Sequence, residues 1–434
     1  MQRTLGFWRC WAMVVGGMIG SGVFMLPAVL APYGSLSLLG WVFAGGGTIF
    51  VALVLGSLAS RLPRIGGPYA YTREAFGDLP GFLIAWGYWI SLWASTAALS
   101  VAFVGYLAAL IPTVGDAPGI GAVTALALIW AVTGINLSGV KTAGVVQLVS
   151  TLLKLLPLLF VAVGGLILGD VVSVPATNPD SQPFPLLIAG MIMLTMWAFL
   201  GVEYATVPAE DVVEPRKTIP RALVAGAVTV TIVYILATSG VMALIPIDAL
   251  AVSTSPFADA ADRLVGGWGT RLVALGALIS IVGAMNVNVL VSGMMPRAVA
   301  LDGLFPAVFG SVNRRGAPAF ALVVSGSLAS ILIALNFTRG LVAAFELLIL
   351  LATLNTLLPY AASSLADLAL LRRDRAAGAR VRWKPVGIAV GALGFAIFTI
   401  VGSGAKVAIY GTILLAASVP VYLVLARRRS SAMK

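Results

Sequence analysis

The stretch GGMIGSGVFMLP, from Gly16 to Pro27, interrupts the first hydrophobic segment of the chain, where a membrane helix should run unbroken. It contains four glycines and a serine, which are poor residues for a helix interior. In a bilayer, backbone that leaves the helix is tolerated only where protein or a cavity satisfies its polar groups. The stretch therefore predicts a broken helix that lines a binding site. Close helix packing through the glycines is the alternative.

The composition of the chain is that of an integral membrane protein. Of its 434 residues, 60% are hydrophobic and 10% are charged, and the mean hydropathy is +1.04. This apolar content exceeds what a soluble domain can bury. Twelve apolar segments are long enough to cross a hydrocarbon core of about 30 Å as helices. We place these spans at residues 8–32, 36–60, 80–111, 119–137, 145–168, 184–208, 221–245, 269–297, 318–336, 341–371, 386–403 and 405–426.

Lysine and arginine give an independent test of this topology, because short cytoplasmic loops keep positive charge. With both termini in the cytoplasm, the inner segments hold 22 of the 27 basic residues. We therefore predict a multi-pass protein of the bacterial inner membrane. The net charge of +11 indicates orientation and contact with anionic membrane lipid, and it does not point to nucleic acid.

A second break is predicted five spans after the first, in the sixth span. The sequence MLTMWAFLGVEYATVPAED, residues 193–211, carries Gly201 and an ionisable Glu203 in mid-membrane. A repeat of five helices is odd in number, so its second copy enters the membrane from the opposite face. The sequence therefore predicts an all-α membrane protein of twelve transmembrane helices, an inverted five-plus-five repeat with broken helices one and six. It forms one transporter domain, with repeat one at 8–168, repeat two at 184–371 and two extra C-terminal helices at 386–426.

Several other classes of protein are disfavoured. The chain has no histidine, which excludes histidine relays and triads, and Cys10, its single cysteine, cannot form an intrachain disulfide. It has no HExxH motif and no nucleophile elbow, so we expect neither an enzyme nor a cofactor or metal. A channel would need a polar pore and rings of like charge, which are not evident. A transporter-like sensor stays open, and a cleaved signal peptide is a weak alternative for the long first span.

Four motifs follow one another along the chain: GGMIGSGVFMLP, RIGGPYAYTREAFG at 64–77, WAFLGVEYATVPAEDVVEPRKTIPRA at 197–222, and DGLFP at 302–306. In this order they resemble the amino acid, polyamine and organocation transporter superfamily. The segments IGSGVF, GVE and VGSGAK also resemble its bacterial arginine/agmatine antiporters. The resemblance covers nearly the whole chain. It implies the broken-helix fold, an amino acid substrate held at the two unwound segments, alternating access, a cytoplasmic gate of charge pairs and a homodimer.

Carried over by position, the resemblance implies a pocket with a backbone cradle in span one and an aromatic lid in span six. Amides that open the second half of span one suit a carboxylate, and carbonyls that end the first half suit an ammonium. The implied substrate-binding residues are Met18, Ile19, Gly20, Ser21, Gly22, Ser91, Leu92, Thr96, Trp197, Phe199, Leu200, Asn288 and Ala352. Gating or coupling roles are implied for Tyr88, Lys154, Glu203 and Tyr360.

Departures from the antiporter pattern concern recognition of the substrate side chain. Asn288 stands where those antiporters have an indole, Thr96 and Gly17 replace asparagines, and Ala352 replaces a serine. These changes remove polar and cation-π contacts that a long cationic side chain would need. We therefore expect a neutral amino acid, with a cationic, arginine/agmatine-type exchange as the alternative because Glu203 is retained. Asn288 itself belongs either in the pocket or in an interhelical hydrogen bond.

Two charged residues lie at membrane depth, where a charge is costly and usually has a partner or a function. Glu203 is expected in the first turn of the inner half of span six, where it either couples transport to a proton or caps the helix. For Lys154, the resemblance implies an ammonium that takes the place of a sodium ion and bridges span one to span eight, and Glu346 is an alternative partner. Sodium-independent exchange and proton symport both stay open.

Overall fold

The computed structural model describes residues 5–62, 66–116, 118–138, 144–179, 181–203, 212–336, 340–378 and 382–432. These residues form α-helices joined by turns, by short 3-10 helices and by a longer connection between Leu168 and Phe184, and no β-strand lies among them. The helices are α1 (Phe7–Met18), α2 (Ser21–Leu30), α3 (Ser37–Arg61), α4 (Pro68–Phe76), α5 (Asp78–Ala108), α6 (Thr113–Asp116), α7 (Pro118–Leu137), α8 (Gly144–Leu168), α9 (Phe184–Met196), α10 (Pro215–Leu244), α11 (Ile247–Ala251), α12 (Pro256–Val265), α13 (Gly267–Leu301), α14 (Ala319–Asn336), α15 (Leu341–Ala376), α16 (Trp383–Val401), α17 (Gly404–Ala416) and α18 (Ser418–Ala432).

The long helices confirm that the chain is an integral multi-pass membrane protein. Within the described residues, eight helical segments are long and apolar enough to cross a bilayer: α3, α5, α7, α10, α13, α15, α16 and Gly404–Leu425. The pair α1 and α2 passes the same test as one broken span, and α8, α9 and α14 contain shorter apolar stretches. Each predicted span overlaps one of these elements. The inner end of the predicted sixth span, residues 204–208, lies outside the described residues.

The first span is broken where the glycines predict it. Helix α1 ends at Met18, Ile19 and Gly20 leave the helical conformation, and α2 begins at Ser21 with a change of direction of 41°. Gly22 then lets α2 approach the second break, because a Cβ added there would lie 2.9 Å from the Cβ of Ala198. The glycines therefore fit both predictions, because Gly20 lies in the helix break and Gly22 allows close packing.

Helix α5 forms the centre of the helix bundle. The most apolar window of α5 is 89% buried, and this helix packs against α13, α14 and α15. By contrast, the corresponding windows of α16 and of Gly404–Leu425 are only 22% and 17% buried. The C-terminal helices therefore lie at the periphery, where lipid can cover them, and the helices around α5 enclose the candidate site.

At the predicted cytoplasmic side, short helix α4 is tied to the ends of α5 and α13. The guanidinium of Arg73 lies 2.8 Å from Asp78 and 2.9 Å from Asp302, and the hydroxyl of Tyr69 donates to Asp302 at 2.7 Å. Burial, with the bond to Asp302 second, raises the pKa of the Tyr69 phenol, so this hydroxyl stays a donor at neutral pH. One guanidinium therefore fixes α4 against the ends of both longer helices.

Candidate functional site

A cavity lies where the two helix breaks meet. Among the described residues it is lined by the first break, by one face each of α5 and α13, by the end of the second break and by α15. The lining residues are Gly16, Gly17, Met18, Gly20, Ser21, Gly22, Tyr88, Ser91, Leu92, Ser95, Leu99, Trp197, Leu200, Glu203, Gly283, Ala284, Val287, Asn288 and Thr356. Of these residues, Glu203 is the charged one. The cavity is therefore apolar over much of its wall, with backbone polar groups at one side and a carboxylate at another.

The side chain of Lys154 from α8 holds the end of α1. Its ammonium donates to the carbonyls of Gly16 and Ile19, at 3.3 Å each, and the side chain is 4% exposed. These carbonyls are among those that lose helical partners at a break, so a buried cation with three donors suits them. The ammonium also lies against Gly283 of α13, where an added Cβ would come within 3.6 Å of it. Among the described residues Lys154 makes no ion pair, and its partner is not Glu346.

The second break carries the carboxylate of Glu203 into a set of donors. Helix α9 ends at Met196, residues 197–199 form a turn of 3-10 helix, Leu200 is extended, and Gly201 takes a φ of +99°. This left-handed conformation favours glycine, and the backbone N–H of Gly201 then donates to Glu203 at 3.1 Å. The hydroxyls of Tyr88 and Tyr360 donate to the same carboxylate at 2.8 and 2.6 Å. Helices α5 and α15 are thus joined through the second break.

Tyr234 of α10 links the two breaks to each other. Its hydroxyl lies 2.8 Å from the carbonyl of Met18 and 3.1 Å from the carbonyl of Ala198, and the residue is fully buried. Its ring packs on Trp41 and Phe199. One phenol therefore serves a backbone carbonyl of each break. The sequence did not single out Tyr234, because a tyrosine within an apolar span has the pattern of an ordinary packing residue.

Ser21 opens α2 on the cavity wall. The residue is only 1% exposed, and its hydroxyl oxygen has no hydrogen-bond partner among the described residues. The first amides of α2 have no partner within their own helix, which makes the helix N-terminus a region that favours negative charge. The hydroxyl and these amides together are suited to a carboxylate.

Asn288 of α13 is both a cavity residue and an interhelical hydrogen-bond donor. Its amide nitrogen donates to the carbonyl of Leu92 at 2.7 Å and to the hydroxyl oxygen of Thr96 at 2.9 Å. The Thr96 hydroxyl donates in turn to the Leu92 carbonyl at 3.0 Å. The structure therefore places Asn288 on the cavity wall and also gives it an interhelical hydrogen bond.

The cavity brings together most of the predicted pocket and gate residues. Those that line it are Met18, Gly20, Ser21, Gly22, Tyr88, Ser91, Leu92, Trp197, Leu200, Glu203 and Asn288. Tyr360 and Lys154 lie one contact away, through Glu203 and through the carbonyls of the first break.

Four predicted pocket residues lie outside the lining. Ile19 directs its carbonyl to Lys154 and its side chain into the core, and Thr96 supports Asn288. Phe199 packs on Tyr234 and Trp41, because the turn at the end of α9 directs its ring away from the cavity. Ala352 is fully buried, and Thr356, one helical turn later on α15, lines the cavity instead.

Several lining residues were missed by the sequence, and helical spacing could have found most of them. Ser95 follows Ser91 by four positions on α5, and Ala284 precedes Asn288 by four on α13. Residues four apart share one face of a helix. The missed lining residues are Gly16, Ser95, Leu99, Gly283, Ala284, Val287 and Thr356.

Comparisons with known proteins show the family to which the chain belongs. A profile described as amino acid permease matches residues 5–424. The arginine/ornithine antiporter of Pseudomonas aeruginosa is 31% identical over 423 residues, covering 93% of this chain and 87% of that protein. The cadaverine/lysine antiporter of Escherichia coli K12 is 31% identical over 367 residues, covering 82% of each chain. The L-lysine transport protein of Corynebacterium glutamicum is 30% identical over 371 residues, covering 83% of this chain and 73% of that protein. The chain therefore belongs to the amino acid permease family, within the amino acid, polyamine and organocation superfamily whose motifs it carries.

Proposed function

We propose that the protein is a sodium-independent exchanger of cationic amino acids, and that the cavity between the two helix breaks is its substrate site. The observation that carries the proposal is the charge of this cavity, in which Glu203 is the charged residue among the described lining residues. A cationic side chain is attracted to a cavity that carries a carboxylate, whereas a neutral side chain gains nothing from that charge. The relatives named above as lysine, arginine, ornithine or cadaverine transporters support the same choice.

The substrate's α-carboxylate is proposed to lie at the start of α2, on Ser21 and the neighbouring amides. Its α-ammonium would meet carbonyls at the end of α1, and Trp197 would cover the substrate from the second break. The unpartnered buried hydroxyl of Ser21 supports this orientation. The side chain of the substrate would then extend between α5, α13 and α15, where Asn288 and Thr356 line the cavity.

The preference for a neutral substrate, taken from the departures at Asn288 and Ala352, is the less supported reading. Ala352 does not line the cavity, so the lost serine there says nothing about recognition. Asn288 replaces an indole but keeps a polar group on the cavity wall. The cationic alternative is therefore our main proposal.

Lys154 is the basis for proposing that exchange needs no sodium. Its ammonium already holds two carbonyls of the first break, where an inorganic cation would otherwise be needed. The pairing of this break with the second supports the inverted repeat of residues 8–168 and 184–371, followed by two peripheral helices, in a single twelve-helix domain. We further propose that both termini face the cytoplasm across the bacterial inner membrane, and that the dimer implied by resemblance forms there.

Purified protein in proteoliposomes tests the proposed function. Vesicles loaded with lysine, arginine, ornithine, cadaverine or leucine would be diluted into labelled lysine or labelled leucine in sodium-free buffer. We expect rapid uptake of labelled lysine that requires an internal cation and is unchanged by added sodium. Uptake into empty vesicles driven by a pH gradient would show proton symport instead, and exchange of leucine at the rate of lysine would refute the cationic preference.

Three variants connect this activity to the cavity. Glu203→Gln and Trp197→Ala should lower lysine exchange at least tenfold, roughly the effect of losing one charge-assisted contact or one large aromatic contact. Lys154→Ala should also lower lysine exchange, because the carbonyls of the first break lose the ammonium that holds them. The matched control is Glu346→Gln, a half-buried carboxylate on α15 that does not line the cavity. Wild-type exchange by all three site variants would remove the cavity from the transport pathway.

A further inference from the structure

The amide of Asn288 has a fixed orientation. One of its partners, the carbonyl of Leu92, can only accept a hydrogen bond, so the amide group must present its NH₂ side to α5. The other partner, the hydroxyl oxygen of Thr96, gives its own proton to the same carbonyl and therefore also accepts from Asn288. Both contacts use the amide nitrogen, and exchanging the nitrogen and oxygen positions would place two acceptors face to face.

This orientation leaves the carbonyl oxygen of Asn288 for the cavity. Asn288 lines the cavity wall, and among the described residues its oxygen receives no hydrogen bond. An amide whose two N–H donors are engaged can only accept a hydrogen bond from a ligand. The position therefore favours a substrate group that carries N–H or O–H donors, and it disfavours a carboxylate.

The acceptor lies on the same side of α5 as the carboxylate of Glu203. Tyr88, which binds Glu203, and Leu92, which binds Asn288, are four residues apart on this helix and so lie one turn apart on one face. The two acceptors thus follow each other along the wall of one cavity. In the proposed orientation, a substrate side chain that ends in a donor group offers these acceptors a hydrogen bond, whereas an apolar side chain offers them none.

We propose that Asn288 is a specificity-determining residue whose carbonyl oxygen accepts a hydrogen bond from the terminal ammonium or guanidinium of the substrate side chain, with Thr96 as the residue that positions it. This inference rests on the proposed function, because it names the group that reads the cationic side chain. It also assigns Thr96 a role outside the cavity lining.

Competition against labelled lysine uptake tests the proposal, with lysine and norleucine as competitors. The two amino acids have side chains of equal carbon number, and norleucine lacks the terminal ammonium. The readout is the ratio of the norleucine to the lysine inhibition constant. We expect Asn288→Leu to lower this ratio about tenfold or more, the usual effect of losing one hydrogen bond to a charged group. Thr96→Val should lower it by a smaller factor, since Asn288 keeps its bond to Leu92.

Asn136 provides the matched control. It is also a buried asparagine in an interhelical contact, with its amide nitrogen 2.9 Å from Asn286, but it does not line the cavity. Asn136→Leu should therefore change both inhibition constants by the same factor. If Asn288→Leu and Thr96→Val also change both constants in parallel, Asn288 is only a structural link between helices and the proposal is wrong. If Asn288→Leu does not fold, the ratio for Thr96→Val decides alone.

The wild-type protein separates this inference from the proposed function. If it binds norleucine as well as lysine, the cationic preference fails before any variant is compared. If it prefers lysine and the ratio is the same in Asn288→Leu and Thr96→Val, the function holds and another residue reads the side chain.

Discussion

Removing the hydroxyl of Tyr234 should weaken the link between the two helix breaks while leaving the fold intact. This hydroxyl has one proton and lies within 3.1 Å of two carbonyls, one from each break. In Tyr234→Phe about one hydrogen bond is lost, worth about 1 kcal/mol net, and a buried carbonyl is left without its donor, which costs about 1–3 kcal/mol. We take about 2 kcal/mol as the combined loss. If this loss of about 2 kcal/mol destabilises only the substrate-bound state, the affinity for lysine drops about 30-fold.

The assay is equilibrium binding of labelled lysine to the purified protein, with thermal unfolding measured in parallel. Tyr106→Phe is the matched variant, because Tyr106 is also fully buried and donates to a backbone carbonyl, that of Phe24, at 2.8 Å. Tyr106 does not line the cavity, and its carbonyl partner Phe24 lies inside α2, one helical turn beyond the first break. We expect both variants to lose similar thermal stability, and Tyr234→Phe alone to lose affinity.

Two results would refute this reasoning. Equal loss of affinity in both variants would mean that binding follows general stability rather than the link between the breaks. Unchanged affinity in Tyr234→Phe, with stability lowered, would mean that the two breaks are held in place by other contacts. Gly22 and its close approach to Ala198 would then be the first alternative.

Three other variants give distinct outcomes. Gly22→Ala should lower lysine exchange about tenfold, because its Cβ would lie 2.9 Å from the Cβ of Ala198 and such overpacking costs about 1–3 kcal/mol. The control is Gly46→Ala, where an added Cβ meets nothing within 4 Å and exchange should equal that of the wild type. Lys154→Met should weaken lysine and norleucine by the same factor in the competition assay, since Lys154 holds the first break without lining the cavity; unequal factors would contradict this. Asp302→Asn should lower the melting temperature by about 2 °C, as expected for partly exposed ion pairs, and leave lysine affinity unchanged in the binding assay.

The two breaks were predictable because their signals lie in the sequence itself. Glycine alone does not mark a break, since α3 runs unbroken through the glycines at 45–47. The glycines of the first span and the Gly201–Glu203 segment lie five spans apart, and this pairing predicts both interruptions. The ionisable residues were predictable for a similar reason, since a charge at membrane depth needs a partner. Lys154 and Glu203 both have such partners.

The contacts that join distant helices were not predictable in this way. Tyr234 meets Met18 across 216 positions of sequence, and nothing in the composition of α10 marks it. Ala352 shows a related limit, because a position carried over from a relative does not fix the rotation of a helix. Thr356 lies one turn further along α15 and takes its place at the cavity.

Asn288 shows how the two kinds of information combine. The sequence identifies a polar side chain in an apolar span and leaves a pocket role and a packing role as alternatives. The contacts with Leu92 and Thr96 engage the two donors of the amide between helices, and our proposal assigns its remaining acceptor to the substrate. A replacement that removes an indole therefore does not by itself make a pocket neutral. What decides is which atoms of the new side chain remain available to the substrate, and in our proposal the carbonyl oxygen of Asn288 is such an atom, an acceptor that suits a cation.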